Sequence, residues 1–218
     1  MNFPTSQDLL ERALMLVPMI LSLSVHEFAH AWSAYKLGDD TAARMGRLTL
    51  NPLAHIDPFG TFLIPLLSPI PFGWAKPVPV NPVRFTRKIS MSRGMMITAA
   101  AGPVSNVILA VVCTVIYALM LRLSSDLLSV GTEALLTKSI VLNLALALFN
   151  LLPVPPLDGS RIVDGLVPAR HRAAWETFTG YSSFLLIAVM VFGGYIIAGP
   201  LGITLGWVDS LIRLITTA

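Results

Sequence analysis

Apolar residues run through this chain in blocks too long for a globular core, and the breaks between them set its architecture. Four stretches can cross about 30 Å of hydrocarbon, which takes roughly 20 residues of helix each. The first runs from about Leu9 to Leu37 and ends at Gly38-Asp39-Asp40. The second begins near Met95, passes AAAGPVSNVILAVVCTVIYALML and ends by Arg122. The third runs from about Ser139 through LNLALALFNLL and is broken by Pro153, Pro155 and Pro156. The last covers Ser182 to about Ala198, with Gly199-Pro200 as its expected stop and a short apolar tail to Ala218. A further apolar stretch, Asp57 to Phe72, is only about 16 residues long and is interrupted by Pro58, Pro65, Pro69 and Pro71. At 1.5 Å per residue it falls short of the hydrocarbon thickness, so the pattern predicts a re-entrant or interfacial segment, with a full fifth span as the rival.

Loop charge favours four spans. One side then receives Lys36, Arg44, Arg47, Lys76, Arg84, Arg87, Lys88, Arg93, Arg161, Arg170 and Arg172, and the other only Arg12, Arg122, Lys138 and Arg213. Eleven against four obeys the positive-inside rule with the N-terminus outside. A fifth span would place the cluster from Lys76 to Arg93 opposite Arg44 and Arg47 and weaken the bias. Between the first two spans, GRLTLNP (46–52) and KPVPVNP (76–82) read as short extended pieces. Proline confines the second to an edge strand or a polyproline-like path. Such an edge can pair with an extended substrate; a loop packed on lipid headgroups is the plainer alternative. The predicted fold class is an all-α polytopic membrane protein of about four transmembrane helices, with the re-entrant segment and a short β-like cytoplasmic region after the first helix. Residues 1–218 are expected to form a single domain.

Composition agrees: 55% of residues are hydrophobic, 12% are charged and the mean hydropathy is +0.74, the profile of an integral membrane protein. The net charge of +3 is scattered through loops, which excludes a nucleic-acid footprint. Cys113 is the only cysteine and sits in an apolar run, so no intrachain disulfide or cysteine metal cluster exists. The start, MNFPTSQDLLER, lacks a basic leader region, so the first span is expected to remain in the mature protein.

The candidate chemistry lies in SVHEFAHAWSA (24–34). On a helix His26 and His30 share one face about 6 Å apart, a spacing that suits two zinc ligands, and Glu27 stands beside them as a candidate general base. With four histidines and four glutamates in the chain, a chance HExxH is on the order of one in a thousand. Ionisable groups within a span are costly enough to point to function. His26 lies about 18 Å along the axis from Gly38, so a metal there sits within the bilayer, nearer the cytoplasmic face. A catalytic zinc needs a third protein ligand. His171, flanked by Arg170 and Arg172, reads as solvated. Asp158 in NLLPVPPLDGS (150–160) is the stronger choice, because it follows a proline-broken helix end in apolar surroundings where an unpaired carboxylate is costly. A helix N-cap for residues 159–166 is its alternative role.

HEFAH (26–30), NPLAHIDPFGT (51–61), GWAKPVPVNP (73–82), AGPVSN (101–106) and FNLLPVPPLDGSR (149–161) together resemble the site-2 protease family of intramembrane zinc metalloproteases. The motifs follow the family's order and cover the chain from about residue 20 to 165. The resemblance implies Zn²⁺ held by His26, His30 and Asp158, with Glu27 activating water. It implies that Asn150 lies near the active site and orients the scissile peptide or its oxyanion, and His55 is a second candidate polar contributor. Gly102, Pro103 and Asn106 look like a helix-packing element of that family. The implied activity is hydrolysis of peptide bonds in or near transmembrane segments, which requires the substrate helix to unwind. The implied partners are a membrane-protein or peptide substrate and the lipid bilayer, with a regulatory membrane partner or a homo-oligomer left open. The implied location is a bacterial or archaeal cell membrane. Many relatives carry a PDZ domain or C-terminal nucleotide-sensing domains. Here the gap from Arg122 to Lys138 holds 17 residues and the sequence stops at Ala218, so neither is expected.

Two rival readings remain on the residues alone. A non-catalytic metal-binding membrane protein or transporter predicts ionisable groups spread along several spans, whereas these gather on two segments and Glu27 would have no task. An inactive protease relative acting as a binding or chaperone module has no need of all four site residues.

Overall fold

The structure is a computed structural model describing residues 6–67, 73–123 and 128–217, with side chains from Arg12 onward. The end of the Asp57–Phe72 stretch, residues 68–72, lies outside the described residues. Four helices are long and apolar enough to cross a membrane: α1 (Ser6–Lys36), α4 (Met91–Leu123), α5 (Val130–Asn150) and α8 (Ser182–Thr217). Between them lie the short helices α2 (Thr41–Arg44), α3 (Ile64–Leu67), α6 (Asp158–Leu166) and α7 (Arg172–Gly180).

Hydrocarbon leaves a backbone no partner but itself, so apolar runs fold as helices even across residues that end helices in water. Pro18, Pro103 and Pro200 all lie inside long helices. This corrects the expected stop at Gly199-Pro200: α8 continues to Thr217, because the residues beyond Pro200 are as apolar as those before it. The third span likewise starts earlier than Ser139. The Ser129 side chain accepts from the Thr132 N–H at 3.2 Å and opens α5 at Val130.

α4 is the central helix and packs against α1, α5, α6 and α8. Most of the apolar residues almost wholly hidden in the bundle are small, among them Ala31, Ala34, Ala99, Ala110, Ala118 and Ala147, with Pro18 and Pro103 beside them. Lipid is as apolar as a leucine, so helices associate in a membrane by close approach of small residues. Large apolar side chains point outward instead, as Phe184, Tyr195 and Trp207 do on α8. Cys113 takes the expected packing role, against the cluster of Ala110, Ile140 and Leu144.

The stretch after His55 enters as a π-helical turn, Pro58–Leu63, continues into α3, and is tied to α1 by Arg12 Nη1 donating to the Leu66 carbonyl at 3.0 Å. It then returns to its starting level: the Trp74 N–H donates to the Gly60 carbonyl at 3.2 Å and the Lys76 N–H to the His55 carbonyl at 2.9 Å. Entry and exit side by side mark a re-entrant path, not a fifth span. Residues 73–81, where Pro77 and Pro79 favour an extended path, form neither helix nor strand, and no strand forms among the described residues. Instead of a sheet, this segment is held by separate bonds to the loops and to α1.

Candidate metal centre

α1 carries His26 and His30 one turn apart, and the turn after α5 brings Asp158 to them from a distant part of the chain. Asp158 Oδ2 lies 3.1 Å from His26 Nε2 and 3.3 Å from His30 Nε2, and the two Nε2 atoms are 3.0 Å apart. Asp158 does not cap its helix. Leu157 occupies the N-cap of α6, without a side-chain capping bond, and the Asp158 carboxylate faces the imidazoles.

Both tautomers follow from the outer partners. His30 Nδ1 lies 2.7 Å from the Thr98 carbonyl, which can only accept, so Nδ1 carries the hydrogen. His26 Nδ1 lies 2.6 Å from Asn106 Oδ1 and donates likewise. That amide is fixed in turn: Asn106 Nδ2 donates to Asn143 Oδ1 at 2.7 Å, and Asn143 Nδ2 donates to the Ser139 carbonyl at 2.8 Å. Asn106 and Asn143 have no exposed surface at all. Two neutral imidazoles bonded this way aim two Nε2 lone pairs and one carboxylate oxygen at a single point. Three electron-rich atoms at about 3 Å repel one another unless a cation lies between them. Tetrahedral zinc with ligands at about 2.0–2.1 Å separates them by roughly 3.3 Å. The donor set therefore fits a divalent ion of zinc's size and softness.

Two glycines make room for this arrangement. A Cβ on Gly102 would lie 2.5 Å from His30 Nε2 and 2.6 Å from His26 Nε2, so α4 can approach the rings only without a side chain there. A Cβ on Gly159 would lie 2.2 Å from the Leu151 carbonyl oxygen, where the chain folds back on the end of α5 to present Asp158.

The cluster opens into a cavity of about 470 Å³ whose walls include Glu27, Asn150, Arg161 and the apolar Leu23, Phe149 and Met190. The Glu27, His26 and His30 ligating atoms all lie within 4.8 Å of one another. Glu27 Oε2 accepts from the Val78 N–H at 2.7 Å. Asn150 ends α5 at the cavity wall and donates from Nδ2 to the Leu146 carbonyl at 3.0 Å. His55 is not brought to this cavity. It is buried in the loop network, where Nε2 donates to the Thr49 carbonyl at 2.8 Å and Nδ1 faces Arg47 Nη2 at 3.4 Å. With both nitrogens engaged and no place on the cavity wall, its ring holds loops together. His171 is exposed beside Arg170, as its flanking charges imply. What the sequence reading missed is the relay from Asn106 through Asn143. Its signal is two amides inside apolar spans, which lipid cannot satisfy and which must find partners in the bundle.

The pattern described as peptidase family M50 matches residues 119–193, which include Asn150 and Asp158 but not the histidine pair. YwhC of Bacillus subtilis, a protein named as a zinc metalloprotease, is 46% identical over 189 residues, covering 84% of this chain and 83% of that protein. Rip2 of Mycolicibacterium smegmatis, similarly named, is 32% identical over 165 residues, covering 73% of this chain and 60% of Rip2. Rip2 of Mycobacterium tuberculosis is 30% identical over the same length, with the same coverage. No solved structure matches. A relative this similar over most of both chains makes the assignment: the chain belongs to peptidase family M50, the site-2 protease family.

Proposed function

We propose that this chain, a zinc metalloprotease embedded in the membrane, hydrolyses its substrates in the cavity beside α1. In this reading His26, His30 and Asp158 hold Zn²⁺ and Glu27 is the general base. The observation that carries it is the convergence of three electron-rich atoms, each within 3.3 Å of the others, with both imidazoles committed to donate from Nδ1. Zinc held in such a set supplies Lewis acidity, which makes water a nucleophile near neutral pH and stabilises charge on a carbonyl oxygen.

The remaining work falls to the chain. Glu27, on the same helix as the histidines, takes a proton from the attacking water and later delivers it to the departing amine. Its place on the cavity wall within 4.8 Å of the imidazole nitrogens supports that role. Asn150 offers an amide at the rim to orient the scissile peptide or its oxyanion, supported by its place on the same wall. The apolar residues of the cavity keep bulk water away while an unwound stretch of substrate lies against them. A volume of about 470 Å³ is within the range of ligand clefts. Residues 1–218 act as one domain, since α1, α4, α5 and α6 each contribute a wall or a ligand.

The substrates are membrane proteins, and cleavage takes place in or near their transmembrane segments. We assign the site to the cytoplasmic half of the membrane, because the loop charges divide eleven to four in favour of the side nearer His26. The setting is a bacterial or archaeal cell membrane, in keeping with the bacterial origin of the relatives. The test is cleavage of single-span reporter proteins by wild type, Glu27→Gln and Asp158→Ala, with zinc measured in each. Glu27→Gln keeps zinc and loses about 10²- to 10⁴-fold in rate, while Asp158→Ala loses zinc. Undiminished cleavage by Glu27→Gln removes the base assignment, and full zinc content in Asp158→Ala removes the third ligand.

A further inference from the structure

The bond from Val78 to Glu27 is one of a set. The segment 74–81 is tied along one edge at Trp74, Lys76 and Val78. The Trp74 N–H donates to Gly60 and its carbonyl accepts from Thr61 Oγ1 at 2.8 Å. The Lys76 N–H donates to His55, and its carbonyl accepts from Arg47 Nη2 at 2.6 Å. The Val78 N–H, next in register, reaches Glu27 Oε2 at 2.7 Å. Just beyond, the Asn81 N–H donates to Asp39 Oδ2 at 2.6 Å, and Asp39 has no exposed surface. Glu27 makes no other hydrogen bond with the described residues.

Proline explains why this edge and not the other is used. An extended chain points its N–H groups alternately to opposite sides. Pro77 and Pro79 remove the donors of the opposite edge between Val78 and its neighbours, leaving only Ala75 there up to residue 79. A substrate strand adding to that side would find few donors, so the segment is poorly suited to the strand pairing that its sequence suggests. Its anchored edge is well suited to holding one carboxylate in place. Two fixed ends, at Gly60 and Asp39, keep the Val78 hydrogen aimed at α1.

We propose that residues 74–81 form a strap whose Val78 backbone N–H positions the Glu27 carboxylate for proton transfer. The inference rests on the reading of Glu27 as general base. Val78 is a positioning residue: it acts through Glu27, and it acts with its backbone, so its side chain gives no sequence signal. One oxygen of the carboxylate is held by the strap, and the other is left to face the reacting water.

The test uses the full chain in lipid nanodiscs, with a single-span reporter protein as the probe substrate. Val78→Pro deletes the one hydrogen and keeps the backbone extended, since Val78 already lies between prolines that restrict it to that region. The expected result is a fall in kcat of about 10- to 100-fold, the usual cost of losing an outer partner, with KM and zinc content as in wild type. An amide-to-ester replacement at position 78 removes the same hydrogen without adding a ring, and gives the same loss even where Val78→Pro folds poorly. Hydrogen exchange supplies a readout apart from activity: in Glu27→Ala the 74–81 peptide gains one fast-exchanging amide. Wild-type kcat in the ester variant, a loss expressed only in KM, or unchanged exchange in Glu27→Ala overturns the proposal. Failure of the underlying reading looks different, for then Glu27→Gln itself cleaves as wild type does.

Discussion

Replacing Gly102 by alanine adds one methyl group at the most crowded point of the bundle. That carbon would lie 2.5 Å from His30 Nε2 and 2.6 Å from both Nε2 and Cε1 of His26. Ordinary carbon–nitrogen contact begins near 3.4 Å, so the rings or α4 must give by close to 1 Å. Metal sites tolerate about 0.2 Å in ligand distance, and the rings cannot simply rotate away, because each Nδ1 is bonded to α4 itself, at Thr98 and Asn106. We expect Gly102→Ala to weaken zinc binding by at least 100-fold, or about 2.7 kcal/mol. The assay is metal analysis of purified protein, followed by titration with a competing chelator. Gly206→Ala is the control, since nothing lies within 4 Å of its added carbon; it should bind zinc as wild type does. One tightly held zinc per chain in Gly102→Ala would refute the argument that the bare backbone at this position defines the site.

Other consequences are open to direct measurement. Asn106→Ala frees the His26 tautomer and should cost about 10- to 100-fold in zinc affinity, read in the same chelator titration; unchanged affinity would remove Asn106 from the site. His55→Ala leaves the Thr49 carbonyl and Arg47 without their partner and should lower stability by about 1–3 kcal/mol, read as a drop in Tm. A fall in kcat without any fall in Tm would instead restore His55 as a catalytic residue. Val83, which is 79% exposed, offers a labelling position. In a Cys113→Ser background, Val83→Cys should react with an impermeant thiol reagent only from the cytoplasmic face, and labelling from outside would invert the topology.

Much of this arrangement was legible in the residues because the membrane makes polarity conspicuous. His26, Glu27 and His30 stand out in an apolar span, and helical spacing alone puts both imidazoles on one face. Asp158 was legible for the same reason, as a carboxylate that directly follows a proline-broken run of apolar residues. Pro200 misled because proline ends helices in water, where the backbone has another partner; in lipid it has none, and α8 carries on. Asn106 read as packing, because its partners His26 and Asn143 lie 80 and 37 residues away and no local pattern joins them. The hold on Glu27 was invisible for a different reason: it comes from a peptide N–H, which every residue but proline carries. His55 drew attention as one of only four histidines, yet its nitrogens go to a carbonyl and an arginine in its own loop.

The amide relay from Ser139 through Asn143 and Asn106 to His26 joins three helices to one ring nitrogen. A slip of α5 along α4 by a single residue would break the relay and free that ring to turn its other nitrogen inward. On the proposed ligand set, metal uptake is tied to helix registry and should follow the docking of the helices in the correct alignment. Zinc content then serves as a gauge of assembly, one that should register misfolded bundles that helical content alone would pass as intact.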